Sequence, residues 1–325
     1  TVTAGCGTAE TTLGAFNGST ECVHASSGDL HYCTANFPYS EMQCAVYDIF
    51  MNSINEGSPE NVNATINGNA FIDLDSALDV KRIDVHTHTR SKNDTPTVQG
   101  VQYFTELTYF VFDGHGLYDG RYDGDDTLKS IDLSKNKKIS ELRLEYVSME
   151  SVDLSANTEI VKLVLIHSSS SASSRDNGFK GLTRFKSLDL SKLTKLEDLT
   201  IYDEDIEALD LSKNTELTRL DLRLLQKLKT IDISKNDALE YLYVSRSGLA
   251  EFDLGNKPNL KQADIIINEN LKSVNLTGCT ALRNLGLATN ALENVDFSKN
   301  TTLKSLNVNQ NQFKTLDLSK NTELT

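Results

Sequence analysis

Apolar residues recur at every second position over short stretches of this chain, and the stretches form two interleaved series. One series is nearly constant. SIDLSKN (130–136) returns as SVDLSAN (151–157), SLDLSKL (187–193), ALDLSKN (208–214), TIDISKN (230–236), EFDLGNK (251–257), SVNLTGC (273–279), NVDFSKN (294–300) and TLDLSKN (315–321). The first apolar position of each copy is Ile131, Val152, Leu188, Leu209, Ile231, Phe252, Val274, Val295 and Leu316, in steps of 21, 36, 21, 22, 21, 22, 21 and 21 residues. The one long step contains HSSSSASSRDNGFKG (167–181), which reads as an inserted loop.

The second series lies between the copies: YFVFDG, ELRLEY, KLVLIH, DLTIYD, RLDLRL, YLYVSR, QADIII, NLGLAT and SLNVNQ. Alternation predicts strands in both series, with every other side chain pointing inward. A fixed period in the twenties predicts a solenoid, in which one coil buries its apolar edge only by stacking on the next. Nine coils at the inter-strand spacing of about 4.8 Å give a stack on the order of 40 Å long. The expected register buries Leu209, Leu211, Leu220 and Leu222 and exposes Asp210 and Asp221. The asparagine ending most constant copies, such as Asn136 or Asn214, is placed to bond backbone groups at a turn; Cys279 takes that position as a small buried thiol.

The two series carry different outward residues. Constant copies stack an aspartate row (Asp132 through Asp317) beside a lysine row, which reads as a solvated, self-compensated scaffold face. The other column changes from coil to coil and is rich in Tyr and Arg, the composition of a recognition surface. Its centre is Tyr202, Arg219, Arg223, Tyr241 and Tyr243, from three successive coils, and these are the expected ligand-binding residues.

The spacing L-x-x-L-x-L-x-x-N together with LDLSKNTEL (209–217 and 316–324) resembles the leucine-rich repeats of exported proteins of Bacteroidetes and related gut bacteria, similar to internalins and BspA-like proteins. NFPYSEMQCAVYDIF (36–50), NATINGNAFIDLDSALDVKRIDV (63–85) and VQGVQYFTELTYF (98–110) resemble the helical N-terminal cap of the same proteins. The resemblance implies an α/β leucine-rich-repeat solenoid: a right-handed superhelix with parallel strands on both sides of about nine coils, behind a small helical cap. The organisation expected is a cysteine-containing segment (1–35), a cap (36–98) and repeats (99–325) with insertions at 113–126 and 167–181. The cap loop 53–70 lacks the D-x-D-x-D-G order of a calcium loop, so calcium is not carried over.

Composition narrows the function. With 46 acidic and 32 basic residues the net charge is -14, which argues against nucleic acid and anionic membranes as partners. No apolar run reaches the length of a membrane span. Cys6, Cys22, Cys33 and Cys44 cluster in the first 44 residues at spacings unlike Cys-x-x-Cys metal pairs. They read as two disulfides of open connectivity in an exported protein. The absence of Met and of a charged-then-apolar leader at the start reads as a signal peptide already removed.

Two polar clusters invite chemistry. DVHTHT (84–89) puts Asp84, His86 and His88 on one strand face, a set suited to a transition metal, yet no further ligand can be named. FDGHGLYDGRYDGDD (112–126) carries five aspartates that could wrap calcium, but Asp-Gly turns account for the pattern. No nucleophile elbow, phosphate loop, zincin or dinucleotide motif occurs. The reading is a non-enzymatic, cofactor-free protein, secreted or displayed on a bacterial surface, that binds a protein or glycan in an adhesin-like manner. The rivals are a metal-dependent enzyme using the Asp84/His86/His88 patch and a non-binding spacer. The open last coil, with Leu316, Leu318 and Leu324, offers a surface for self-association or for further coils.

Overall fold

The computed structural model describes residues 2–4, 11–13, 22–24, 31–33, 81–86, 101, 104–113, 128–167 and 183–325. The described residues divide into two compact units, one up to Ser148 and one from Met149 onward. In the first unit, β1 (Val2–Ala4) pairs antiparallel with β2 (Thr11–Leu13), and β3 (Cys22–His24) with β4 (His31–Cys33). The register of the second pair sets Cys22 opposite Cys33. Cys6 and Cys44 lie outside the described residues, as does nearly all of the expected helical cap. Three parallel strands complete this unit: β5 (Arg82–His86), β6 (Tyr109–Asp113) and β7 (Glu141–Glu145).

The second unit is a parallel β-solenoid of about seven turns, and it positions the candidate site. Its main sheet runs β8 (Lys162–Ile166), β9 (Asp198–Tyr202), β11 (Arg219–Arg223), β13 (Tyr241–Ser245), β15 (Gln262–Ile266), β17 (Asn284–Gly286) and β18 (Ser305–Asn307), each paired in register with the next. These are the variable stretches. On the other side, the constant stretches form ladders only in two short pairs, β10 (Ala208–Asp210) with β12 (Thr230–Asp232) and β14 (Glu251–Asp253) with β16 (Ser273–Asn275). Continuous strands on both sides are therefore not formed. Residues 187–190 and 294–297 join no ladder. Among the described residues there is no α-helix, and turns close the coils of the second unit.

The core follows the alternation. Leu199 and Ile201, Leu220 and Leu222, and Leu242 and Val244 point inward from successive sheet strands and are fully buried. Leu190, Leu211, Ile233, Leu254, Leu276 and Phe297 meet them from the constant side. Burying each such side chain contributes about 1.5–3 kcal/mol. The first apolar residue of each constant copy is less deeply placed. Leu209 is buried as expected, but Leu188, Ile231 and Val295 are half-buried, and Leu316 is exposed.

Two devices make the turns. Asn136, Asn214, Asn236, Asn300 and Asn321, which end constant copies, are buried and donate their amides to backbone carbonyls one coil back. Asn214 Nδ2 bonds Leu190 O at 3.1 Å and Leu193 O at 2.7 Å; Asn236, Asn300 and Asn321 repeat the pattern. Each aspartate of the same series closes its own turn, as Asp210 Oδ1 does by accepting the Ser212 amide at 2.8 Å. Asp153, Asp189, Asp232, Asp296 and Asp317 do likewise, and Asn275 accepts from Thr277. This is why D-x-S recurs: it is a local turn bonded within itself.

On the opposite turn, Asp203, Leu224, Arg246 and Ile267 directly follow β9, β11, β13 and β15, and Thr289 and Gln310 come three residues after the ends of β17 and β18; all six adopt a left-handed conformation with φ between 51° and 59°. None is glycine. Amides here reach the next coil, as Leu224 N does to Ser245 O at 2.9 Å and Ile267 N to Ala288 O at 3.0 Å, and this inter-coil bonding holds the strained conformation. Directly after them comes a second polar ladder. Asn268, Asn290 and Asn311 donate to carbonyls around them, and Asn268 Oδ1 accepts both the amide and hydroxyl of Ser247.

Candidate functional site

The outward side chains of β9, β11 and β13 form one surface. The register aligns Asp198, Arg219 and Tyr241 in one row, Thr200, Asp221 and Tyr243 in the next, and Tyr202, Arg223 and Ser245 in the third. All five expected binding residues, Tyr202, Arg219, Arg223, Tyr241 and Tyr243, therefore lie on three adjacent strands, and all are half-buried.

Asp221 organises the cluster. Arg223 Nε and a terminal nitrogen reach its two carboxylate oxygens at 2.6 and 2.7 Å, a bidentate fork, while Arg219 donates from the other side at 3.1 Å. Its side chain is 3 % exposed. The expectation that Asp221 is exposed is thus overturned: it points away from the core, but two guanidinium groups on its own strand close over it. Each arginine also lies on a tyrosine of the next coil. The guanidinium carbon of Arg219 is 4.0 Å from the Tyr241 ring centre and that of Arg223 is 4.1 Å from Tyr243. Arg219 additionally comes within 3.7 Å of Asp198.

The electrostatics match. Hydrogen bonding to Asp221 raises the Arg223 pKa further. Burial, then the Asp221 charge, pushes the Tyr241 hydroxyl up, and burial, then Asp203, does so for Tyr202. Both phenols stay protonated donors at neutral pH. The formal charges of Asp198, Arg219, Asp221 and Arg223 sum to zero, so the platform presents aromatic rings and guanidinium edges whose charges are internally paired.

Next to it the surface changes. On β15, Asp264 Oδ2 accepts the Gln262 side-chain amide at 2.8 Å. On β17, Gly286 leaves room for that carboxylate, since a Cβ there would collide with Asp264 Oδ1.

The other sequence candidates fare differently. Asp84 and His86 are on β5, while His88 lies outside the described residues, as does nearly all of the 113–126 and 167–181 insertions. Among the described residues no three His, Cys, Asp or Glu side chains are grouped so as to hold a metal ion. Cys279 is a buried free thiol, its pKa pushed up to about 12 by burial. Sequence reasoning missed Lys257, which occupies the asparagine-ladder position one coil before Cys279 and is fully buried. Its position as the seventh residue of EFDLGNK was the available signal. It also missed Glu204, buried beside Asp203 and Arg184. Among the described residues, no helix is long and apolar enough to cross a membrane.

A leucine-rich parallel β-solenoid with a turn-forming asparagine in most coils is the class of structure that this arrangement defines. No family model matches the chain. No curated protein matches it either. Among solved structures it is similar to the internalin InlF of Listeria monocytogenes, at 18% identity over 87% of this chain and 80% of that one, with a TM-score of 0.48. It is also similar to the functional domain of InlJ from the same organism, at 18% identity, 85% and 72% coverage and a TM-score of 0.36. A leucine-rich-repeat protein of Leptospira interrogans is similar at 12% identity, 82% and 81% coverage and a TM-score of 0.39.

Proposed function

We propose that this chain is a binding protein that recognises a protein partner through the outward face of its main sheet, centred on Tyr202, Arg219, Arg223, Tyr241 and Tyr243. The observation that carries this reading is the buried Asp221 and its two arginines, which fix Tyr241 and Tyr243 in place before any partner arrives. Rigid aromatic side chains bring contact area at low entropic cost, and Tyr and Arg dominate interface hot spots. The constant face has no such feature, because its aspartates are spent on their own turns. The cysteine-rich first 44 residues and the resemblance to exported repeat proteins support a location outside the cell, secreted or on a bacterial surface, with an adhesin-like role.

The test is binding of the full chain to an array of extracellular protein domains and glycans, beside the Tyr241→Ala/Tyr243→Ala variant. The reading requires a protein whose binding falls at least about 30-fold in the double variant, as expected for two hot-spot residues. A partner that binds both forms equally, or a glycan as the only tyrosine-dependent ligand, refutes it.

A further inference from the structure

The tyrosine platform is self-neutralised, but the strand beside it is not. Asp264 sits in register with Tyr243 on one side and Gly286 on the other. It is half-exposed, and its carboxylate receives one neutral hydrogen bond, from Gln262 to Oδ2. Among the described residues no cation pairs with it, whereas Asp198 on β9 and Asp221 on β11 both have an arginine. Oδ1 extends over Gly286, where any side chain would displace it. Beyond Gly286 the next strand offers Asn307, so the Asp264 carboxylate lies beside a strand position that has no side chain. On the other flank, Arg223 covers one face of the Tyr243 ring, and among the described residues no second cation lies on that ring.

We infer that Asp264, with Tyr243 and the bare backbone at Gly286, is a subsite for a single basic side chain, an arginine or lysine, presented by the protein partner. This rests on the sheet face being the binding surface and names what that surface selects. The chemistry favours a cation over a sugar. An ionised carboxylate that lacks a countercharge gains charge-assisted hydrogen bonds from a guanidinium or ammonium group, and the adjacent aromatic ring adds a cation–π contact. A neutral hydroxyl gains neither. The net charge of -14 adds long-range attraction for a basic partner. Gly286 is the geometric signature: with any larger residue at 286 the carboxylate cannot occupy its place.

The experiment titrates the full chain with Nα-acetyl-arginine amide, its neutral isostere Nα-acetyl-citrulline amide, and methyl glucoside. NMR follows the Gly286 amide and the Tyr243 ring. The arginine probe is expected to shift both signals saturably and the citrulline probe to shift neither. Asp264→Asn keeps the Gln262 contact and weakens the arginine probe at least about fivefold. Gly286→Ala keeps the charge but moves the carboxylate, and weakens it comparably. Thermal melts of both variants confirm that they fold. Equal binding of arginine and citrulline, an unchanged response in folded Asp264→Asn, or a saturable response to the glucoside alone overturns the subsite. A protein from the array that needs the tyrosines but ignores Asp264→Asn also overturns it and leaves the face reading intact. Arginine binding at Asp264 without any tyrosine-dependent partner would instead count against the face reading.

Discussion

Arg219 lies on the ring of Tyr241, its register partner one coil further on, with the guanidinium carbon 4.0 Å from the ring centre. Arg82 and Tyr109 repeat the relationship in the first unit, again as register partners, at 3.6 Å. Parallel strands in register bring such pairs within reach. At Arg219 a buried carboxylate lies behind the guanidinium. Asp221 holds two arginines at once, so each ring is braced by a guanidinium that cannot swing away.

Removing that carboxylate is therefore expected to do more than removing one surface charge. Asp221→Ala leaves Arg219 and Arg223 without their shared acceptor and is predicted to cost about 1–3 kcal/mol of stability. Asp221→Asn keeps the shape but loses the charge, and falls between. Chemical denaturation of the three proteins checks the order. The ring signals of Tyr241 and Tyr243 should broaden or shift in Asp221→Ala as the stacking arginines are released.

The aspartates of the constant face predict an acid sensitivity. The pKa values of Asp189, Asp210, Asp232, Asp296 and Asp317 are lowered because each carboxylate accepts the backbone amide and the hydroxyl of the serine two residues on. A carboxylate with a folded pKa below its unfolded one contributes stability above the unfolded value, and that contribution is lost as pH falls through the folded pKa. The melting temperature should thus drop as pH is lowered below about 4. Asp210→Asn is expected to keep the turn, since Asn275 does this job with Thr277 at 3.1 Å. Asp210→Ala loses it and melts lower at pH 7. Identical melting of the alanine and asparagine variants would contradict the turn assignment.

Glu204 predicts the opposite pH dependence. It is fully buried, its Oε2 accepts the Phe185 amide at 2.7 Å, and Oε1 has no hydrogen-bond partner. Burial raises its pKa well above the ordinary value; the Phe185 bond lowers it, Asp203 raises it further, and Arg184 opposes Asp203. The unfolded chain ionises this group at a lower pH than the folded one, so its contribution to stability is full below the unfolded pKa and declines as pH rises through the folded one. Glu204→Gln keeps an acceptor for Phe185 and removes the buried charge. It should stabilise the protein at pH 7 by about 1 kcal/mol or more, with the gain vanishing near pH 4.

Much of this was legible in the sequence because a solenoid repeats its instructions. The 21-to-22-residue period fixed which residues face the core, and the tyrosines and arginines of β9, β11 and β13 were placed on one surface by counting alone. Burial of Asp221 was not legible, because it depends on Arg219 and Arg223 folding back along their own strand instead of outward. The left-handed residues were hidden for another reason. Leu224 and Ile267 carry no local preference for positive φ, and inter-coil hydrogen bonds impose it. The ladder of Asn268, Asn290 and Asn311 was written in the sequence at the same period, but the louder SKN series masked it. The uneven ladders of the constant side follow from its turns, which leave only three-residue strands to pair.

The antiparallel register of β3 and β4 sharpens the expectation for the cysteines. Cys22 and Cys33 are register partners on the two strands. We predict a Cys22–Cys33 bond, leaving Cys6 to pair with Cys44, and one reactive thiol, Cys279, after denaturation without reductant. Peptide mapping of the oxidised protein checks the connectivity. A Cys6–Cys22 linkage, or five titratable thiols, would refute it.

Lys257 is the place where the repeat departs furthest from its own rule, and this can be tested by restoring the rule. In the coil before it an asparagine occupies this position and donates two hydrogen bonds one coil back, as Asn236 does to Leu211 O at 3.1 Å and Asn214 O at 2.8 Å. Lys257 is fully buried; its ammonium bonds Asn256 O at 3.0 Å and stands 3.7 Å from Asp237. Burial lowers its pKa, with Asp237 opposing that shift, so the folded chain disfavours the charge that the unfolded chain carries. Stability from this group is therefore present above the unfolded pKa and lost as pH falls through the folded one. Lys257→Asn removes the buried charge and supplies the two missing donors toward the coil that holds Ile233 and Asn236. It should stabilise the protein by about 1–2 kcal/mol at pH 7, less at alkaline pH. Lys257→Met, which keeps the volume and removes the charge but supplies no donors, should gain less. If both variants melt below the parent, the Asp237 pairing outweighs the burial and the ladder position was adapted to the lysine.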